Sequence, residues 1–135
     1  MSTLPENCNS VDKVQQAYKL GQRNFANANL IAANLQAADL KGCDLSYADL
    51  SEANLRDIKL RGVDLSYACL HKADLTQADL RGAMLIGTDL REAVLTGTKL
   101  QEADYDPVET HFPPEFDRAA ASMHPIRTQS RHIAV

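Results

Sequence analysis

Residues 28–40 read ANLIAANLQAADL, and they set a period of five that continues to Leu100. Every fifth residue from Leu30 to Leu100 is leucine, with Phe25 before the series and Tyr105 after it. Five matches neither the 3.6-residue turn of an α-helix nor the two-residue alternation of a strand, so neither element could bury all these side chains on one face. The chain is therefore predicted to turn a corner after every five residues. The predicted core ladder consists of Phe25, Leu30, Leu35, Leu40, Leu45, Leu50, Leu55, Leu60, Leu65, Leu70, Leu75, Leu80, Leu85, Leu90, Leu95, Leu100 and Tyr105.

The residues between the leucines follow the same period. A compact residue, most often alanine, stands two positions before each leucine, and Asn or Asp usually stands directly before it. The two residues after each leucine are mostly polar, charged or glycine. We expect the compact residues to point inward beside the leucines and the other three positions to face water. Asn and Asp have a structural reason to recur at corners, because their side chains hydrogen-bond to nearby backbone groups in turns.

A second period of twenty residues lies on the first. Residues 43–50 read CDLSYADL and residues 63–70 read VDLSYACL. If four five-residue sides close one coil, residues twenty apart stack, which places Tyr47 on Tyr67 and aligns glycines 42, 62 and 82. A recent duplication without spatial meaning is the alternative. The recurrence of identical residues in register favours stacking, because like side chains on adjacent coils stabilise one another in ladders.

The repeated unit Ala-(Asn/Asp)-Leu-x-x resembles the pentapeptide-repeat family over residues 23–107. The resemblance implies an all-β solenoid, a right-handed four-sided β-helix of about four coils. Left-handed hexapeptide helices need a period of six, and leucine-rich repeats need about 20–29 residues with another internal pattern. Five residues replace the Asn or Asp, which puts the local turn bonding in doubt; they are Lys59, Cys69, Met84, Val94 and Lys99.

The flanks are predicted to cap the two open ends, which otherwise expose apolar side chains and unpaired backbone. Residues 1–22 form the N-terminal segment, in which Ser10 is a plausible N-cap and residues 11–20 a short amphipathic helix that stops at Gly21. The repeat domain spans residues 23–107, and residues 108–135 form an irregular or helical C-terminal cap with a tail.

The C-terminal cap contains the residues Phe112-Pro-Pro-Glu-Phe116-Asp117. They resemble the Phe-Pro-x-x-Phe-Asp ending of cyanobacterial pentapeptide-repeat proteins. Phe112 and Phe116 are predicted to plug the upper end, residues 118–123 to form a brief helical turn, and the stretch from Pro125 to Val135 to be mobile.

Composition narrows the function classes. The chain has no apolar run near 18 residues and no secretory signal pattern in its first 25 residues, so we expect a cytoplasmic protein without a membrane partner. The three cysteines and four histidines are dispersed, which predicts no disulfide framework, no metal site and no cofactor. Ser46 and Ser66 lack a neighbouring histidine and a convex rod offers no evident pocket, so an enzyme is only a remote alternative.

Recognition through an outer face is the remaining class. Lys41, Arg61 and Arg81 should stack at about 5 Å intervals beside the glycine column and could bind phosphates or an acidic partner. The neighbouring column alternates Asp39, Lys59, Asp79 and Lys99. That alternation favours a solvated face that neutralises itself. The pair Tyr47 and Tyr67 is either cross-coil packing or a recognition spot, and the sequence leaves both interpretations open.

The family implies one sharper alternative, because some pentapeptide-repeat proteins mimic a DNA duplex and bind DNA gyrase. Such mimicry needs a strongly acidic surface. The whole chain has a formal net charge of −4 and its basic residues are spread over the repeat region, which makes it a poor imitation of DNA. We therefore predict a non-enzymatic protein-interaction or scaffolding module that does not bind nucleic acid directly. Its partner, biological role and oligomeric state stay undetermined at this stage.

Overall fold

The computed structural model describes residues 11–126, which contain one helix and one short parallel strand pair. Helix α1 spans Val11–Lys19, strand β1 spans Asp104–Tyr105, and strand β2 spans His124–Pro125. Asp104 pairs with His124 in the β1–β2 register. Between α1 and β1 the chain consists of turns and isolated parallel bridges. The predicted N-cap Ser10 and the part of the predicted tail beyond residue 126 lie outside the described residues.

The bridges join residue n to residue n + 20, from Asn24–Asp44 to Met84–Asp104. The hydrogen bonds repeat in each coil: the Leu30 N–H donates to the Asp49 carbonyl at 2.8 Å, and the Asp49 N–H donates to the Ala28 carbonyl at 2.9 Å. Each coil thus satisfies backbone groups of the next, as burial of a backbone requires. Residues 24–104 therefore form a β-solenoid whose coils contain twenty residues.

Each corner is a tight turn of the same form. The Ala33 N–H donates to the Leu30 carbonyl at 3.0 Å, and Ala32 between them has φ 57°. A positive φ at the third turn residue, without one at the second, is the signature of a type II turn. Asp57 and Tyr67 adopt the same conformation, at φ 57° and 61°, although a left-handed backbone costs an L-residue about 1–2 kcal/mol. The core leucines and the ladder hold the chain in that conformation.

The solenoid axis is filled by the leucine series and the compact residues beside it. Phe25 and most ladder leucines are at most 1% exposed, with Leu100 at 2%. Leu95 and Tyr105 are only half-buried. The reason is their place at the upper end, because the chain leaves the coil path after Tyr105 and no complete coil covers them.

Several of the Asn and Asp residues before the leucines face water only in part, which corrects the expectation for those positions, whereas Asn29, Asn34 and Asp39 are exposed as expected. Asp49 and Asp64 are half-buried. Their Oδ1 atoms accept the N–H groups of Ser51 at 3.0 Å and Ser66 at 2.9 Å. The carboxylate therefore folds back over its own turn, and the predicted turn bonding is present at these positions.

Helix α1 covers the lower end of the solenoid. Val14 is fully buried and Ala17 is 8% exposed, and both belong to the same core as Phe25. The Tyr18 hydroxyl donates to the Lys41 carbonyl at 2.8 Å, which joins the helix to the first coil. The helix ends at Lys19, one residue before the predicted limit. No helix within residues 11–126 has the length and apolarity to cross a membrane.

The upper end departs from the regular coil. Asp89 pairs with His111 rather than residue 109, so two extra residues form a loop over residues 106–110. Thr110 occupies a buried position there, and its hydroxyl donates to the Leu85 carbonyl at 2.6 Å. Inserted residues are thus accommodated by a side-chain hydroxyl that bonds to the backbone of the coil below.

Aromatic rings close the upper end above this loop. The Phe112 ring packs edge-on against Tyr105 at 5.5 Å and stacks on Phe116 at 5.2 Å, between ring centroids. Residues 118–122 form turns, and no part of 118–123 is helical, contrary to the predicted helical turn. Strand β2 then adds a last rung, because the His124 N–H donates to the Ala103 carbonyl at 2.8 Å.

Leu65→Ala tests whether the stacked leucines carry the fold. Leu65 is 0% exposed, and removal of its buried side chain is expected to lower the free energy of unfolding by about 2–5 kcal/mol. Urea unfolding followed by circular dichroism measures the loss. Glu52→Ala, an exposed turn residue, is the control and should change stability by less than about 0.5 kcal/mol. A loss at Leu65 no larger than that of the control contradicts the core assignment.

Candidate interaction surface

The twenty-residue pairing distributes charge unequally among the four sides of the solenoid. We define the basic side as residues 39–42, 59–62, 79–82 and 99–102, which share one side through the bridges Asp39–Lys59, Lys59–Asp79 and Asp79–Lys99. It carries five of the nine Lys and Arg residues of segment 23–107 but only three of its thirteen Asp and Glu residues. The basic residues of this segment are therefore distributed unevenly, with the other four, Arg23, Arg56, Lys72 and Arg91, outside this side. The five basic residues are Lys41, Lys59, Arg61, Arg81 and Lys99.

Of the three stacked basic residues predicted from the sequence, Lys41 and Arg81 are each paired with an Asp of their own turn. Lys41 Nζ lies 3.5 Å from Asp39 Oδ2. Arg81 holds Asp79 through two bonds, Nη2–Oδ2 at 2.7 Å and Nε–Oδ1 at 2.9 Å, and these hydrogen bonds lower the pKa of Asp79 to about 2. Self-neutralisation, one of the two interpretations of this face, therefore fits Lys41 and Arg81.

Arg61 differs from its two column neighbours. The position two residues before it holds Lys59, where Lys41 and Arg81 each have an Asp. Among residues 11–126, neither Arg61 nor Lys59 takes part in an ion pair. Both side chains are exposed. The centre of the basic side thus has two cations that form no ion pair with a carboxylate of the described chain.

A column of glycines runs beside the stacked basic residues. Gly42, Gly62 and Gly82 sit at the left-handed corner position, and a Cβ added to any of them would meet no atom within 4 Å. The corner beside the cations is therefore a bare backbone surface that another chain can approach closely.

Tyr47 and Tyr67 stack on the corner one side further along the chain. Their ring centroids are 5.3 Å apart with an interplanar angle of 18°. The residues remain 60% and 46% exposed. Cross-coil packing and exposure thus coexist at this pair.

Two further groups support Tyr67, one on the next coil and one in loop 106–110. An added Cβ at Gly87 would collide with the Tyr67 ring, so the ring rests in the space that this glycine leaves open. The Tyr67 hydroxyl donates to Glu109 Oε1 at 3.1 Å. This hydrogen bond and the Glu109 charge raise the pKa of Tyr67 above its ordinary value. Glu109 was not among the residues predicted from the sequence, since it reaches Tyr67 only through the two-residue insertion in loop 106–110.

The two serines weighed for catalysis, Ser46 and Ser66, lie in corner turns of the solenoid. The backbone N–H groups of Ser46 and Ser66 donate to the carboxylates of Asp44 and Asp64. Cys43 is buried, and burial raises the pKa of its thiol to about 12. Within residues 11–126 no group of three or more His, Cys, Asp or Glu side chains is placed to hold a metal ion.

Two surface depressions lie at the ends of the rod. One, of about 420 Å³, is lined by Tyr105, Phe116, Met123 and their neighbours, and the other, of about 390 Å³, lies between α1 and the first coil. Neither is lined by Tyr47 or Tyr67 or by the basic column of Lys41, Arg61 and Arg81. The candidate interaction surface therefore lies outside both depressions.

Comparison with known families identifies a repeat family. The chain matches the family model "Pentapeptide repeats" in eight copies over residues 24–62, 43–82 and 73–104. No curated protein sequence shows a significant match.

Solved structures extend this result. The chain is 52% identical to alr5209, a pentapeptide repeat protein from Nostoc PCC 7120, over 87% of this chain and 96% of that one, with a TM-score of 0.85. A pentapeptide repeat protein of the Arabidopsis thaliana thylakoid lumen shares 23% identity over 82% of this chain and 69% of its own, with a TM-score of 0.52, which supports the fold alone.

Glu109→Gln tests the support of Tyr67. Because the carboxylate stabilises the protonated hydroxyl, its neutralisation is expected to lower the pKa of Tyr67 towards the ordinary value of 10.0. NMR titration of the tyrosine ring carbons measures the change. Glu52→Gln removes the same charge from a different corner and should leave the Tyr67 titration unaltered. An unchanged Tyr67 pKa in Glu109→Gln contradicts the hydrogen bond.

Proposed function

This chain belongs to the pentapeptide-repeat family, and we propose that it is a non-enzymatic protein-interaction or scaffolding module whose contact surface includes Tyr47 and Tyr67. The observation that carries the proposal is the exposed, stacked tyrosine pair with its ring-to-ring distance of 5.3 Å. Aromatic side chains are enriched in protein interfaces and contribute much of their binding energy. Rings already fixed in place lose little further conformational entropy when a partner binds.

Tyr67 supplies that preorganisation. Its ring rests on the backbone at Gly87 and its hydroxyl is held by Glu109. Tyr47 is the more exposed ring of the stack and stands on this fixed base. A partner would therefore meet an apolar surface of defined orientation, flanked by the basic side on the preceding corner.

The remaining elements of the proposal concern handedness and location. Structures of this family are right-handed β-helices, and we propose the same handedness and the four-sided form for this chain. We also propose a cytoplasmic location, which the free thiols of Cys43 and Cys69 support because reducing compartments keep thiols unpaired. A catalytic role has less support, since neither Ser46 nor Ser66 lines either of the two surface depressions described above.

The gyrase-directed DNA-mimic alternative also has less support. A duplex mimic presents acidic charge along its length, whereas this solenoid devotes one side to five basic residues. Direct binding of nucleic acid is equally disfavoured, because the other three sides carry ten acidic residues against four basic ones.

The double variant Tyr47→Ala, Tyr67→Ala tests the proposed contact surface. We expect it to lose a protein that the intact chain retains from a lysate of the source cells, since the aromatic contact area is gone. Quantitative mass spectrometry of affinity-captured proteins measures the loss. The control is Glu52→Ala, Lys72→Ala, which truncates two side chains of one column at φ 59° and 63°, close to the 61° of both tyrosines, and leaves the net charge unchanged.

Retention of the same proteins by both double variants removes the tyrosine pair from the interface. Failure of the intact chain to retain any protein reproducibly contradicts stable scaffolding. Thermal unfolding of each variant is measured in parallel, so that a loss of partner by an unfolded chain is not counted as a loss of contact.

A further inference from the structure

We infer that the basic side binds an extended acidic segment of a partner protein, with Arg61 and Lys59 as its central contacts. The inference rests on the proposed interaction function and names the chemistry of the partner. It concerns a different surface from the tyrosine pair, so the two proposals can fail separately.

The first support is that Arg61 is available. In its column neighbour Arg81, the guanidinium already donates two hydrogen bonds to Asp79, at 2.7 and 2.9 Å. Arg61 has Lys59 in place of such an Asp and forms no ion pair within the described chain. An exposed guanidinium presents a planar set of donors that matches a carboxylate through two parallel hydrogen bonds. The contact missing at Arg61 is therefore one that a partner's Asp or Glu can supply.

The second support is the charge that remains on this side after internal pairing. Pairing with Asp39 and Asp79 occupies Lys41 and Arg81, while Lys59, Arg61 and Lys99 have no ion pair within residues 11–126. Lys59 and Arg61 lie on the same coil, and Lys99 lies two coils further on, at about twice the coil spacing of about 4.8 Å. An acidic chain that runs along the solenoid axis therefore meets two cations together on one coil and a third at a distance close to the screening length of about 8 Å at physiological salt.

The third support is steric. The positions of Gly42, Gly62 and Gly82 directly follow the basic column, and no atom occupies the space where their side chains would be. Longer side chains at these corners would hold a partner away from the cations. An extended backbone can lie along the bare corner while its acidic side chains reach Arg61 and Lys59.

The acidic charge on the other three sides favours a protein partner over a nucleic acid. Those sides hold ten acidic residues against four basic ones. A nucleic acid bears phosphate charge along its whole length and gains affinity by neutralising many phosphates at once. Only one narrow side of this rod can contribute, whereas a short acidic segment needs no more than that.

Fluorescence anisotropy with a fluorescein-labelled peptide of alternating Glu and Gly tests the inference. We expect the wild-type chain to bind this peptide with an affinity that falls as salt rises, and not to bind the Gln-Gly analogue. Arg61→Glu should weaken binding about tenfold or more. Lys72→Glu is the matched control, because it changes the net charge equally at an exposed site on another side, in a column that already contains Glu52 and Glu92. It should bind the peptide like the wild type.

Three outcomes overturn the inference. The first is an absence of Glu-Gly binding by the wild-type chain, and the second is an equal loss in Arg61→Glu and Lys72→Glu, which would report net charge alone. The third is tighter binding of a labelled DNA duplex than of the peptide. None of these outcomes bears on partner capture through Tyr47 and Tyr67, so the interaction function stands or falls on its own experiment.

Discussion

The corner turn between each leucine and the compact residue three positions later is the interaction on which the rest of this structure depends. The Ala33 N–H bonded to the Leu30 carbonyl, with Ala32 in the left-handed conformation, reverses the chain after every five residues. Four such turns return the backbone to the next coil, where the Leu30 N–H meets the Asp49 carbonyl. The free energy gained by burying the leucines offsets the cost of the left-handed backbone at the corners, so that turn, ladder and core stabilise one another.

Surface chemistry follows from that geometry, because residues twenty apart are forced into columns. Tyr47 and Tyr67 stack for this reason, and Lys59 pairs through its backbone with Asp39 on one neighbouring coil and Asp79 on the other. One substitution in a column then changes its neighbourhood: Lys59 in place of an acid leaves Arg61 without the partner that Arg81 has. Columns of exposed side chains suit recognition of another chain, and within residues 11–126 neither of the two depressions described lies beside the tyrosine pair.

The repeat region could be predicted from the sequence because its features recur at fixed spacing. Contacts between residues far apart in the sequence could not be predicted in this way. The five- and twenty-residue periods predicted the buried leucines, the turn-bonding Asp residues and the tyrosine stack, because each depends on spacing along the chain. The Tyr67–Glu109 bond joins residues 42 positions apart and depends on the inserted loop, for which no period exists. Thr110 likewise reads as an ordinary polar residue, yet it is buried and bonded to Leu85. The half-burial of the Asp side chains was missed because a turn-bonded carboxylate lies against its own backbone.

Unfolding of two deletion variants tests the central claim that five residues form one side of the solenoid. Removal of residues 51–55 keeps every later leucine in phase, so cooperative urea unfolding should persist with a reduced free energy. Removal of residues 51–54 takes less of the chain but moves Leu55 into the first turn position after Leu50 and shifts every later residue. It should lower stability much further or abolish cooperative unfolding. A four-residue deletion as stable as the five-residue deletion would contradict the five-residue corner and the account built on it.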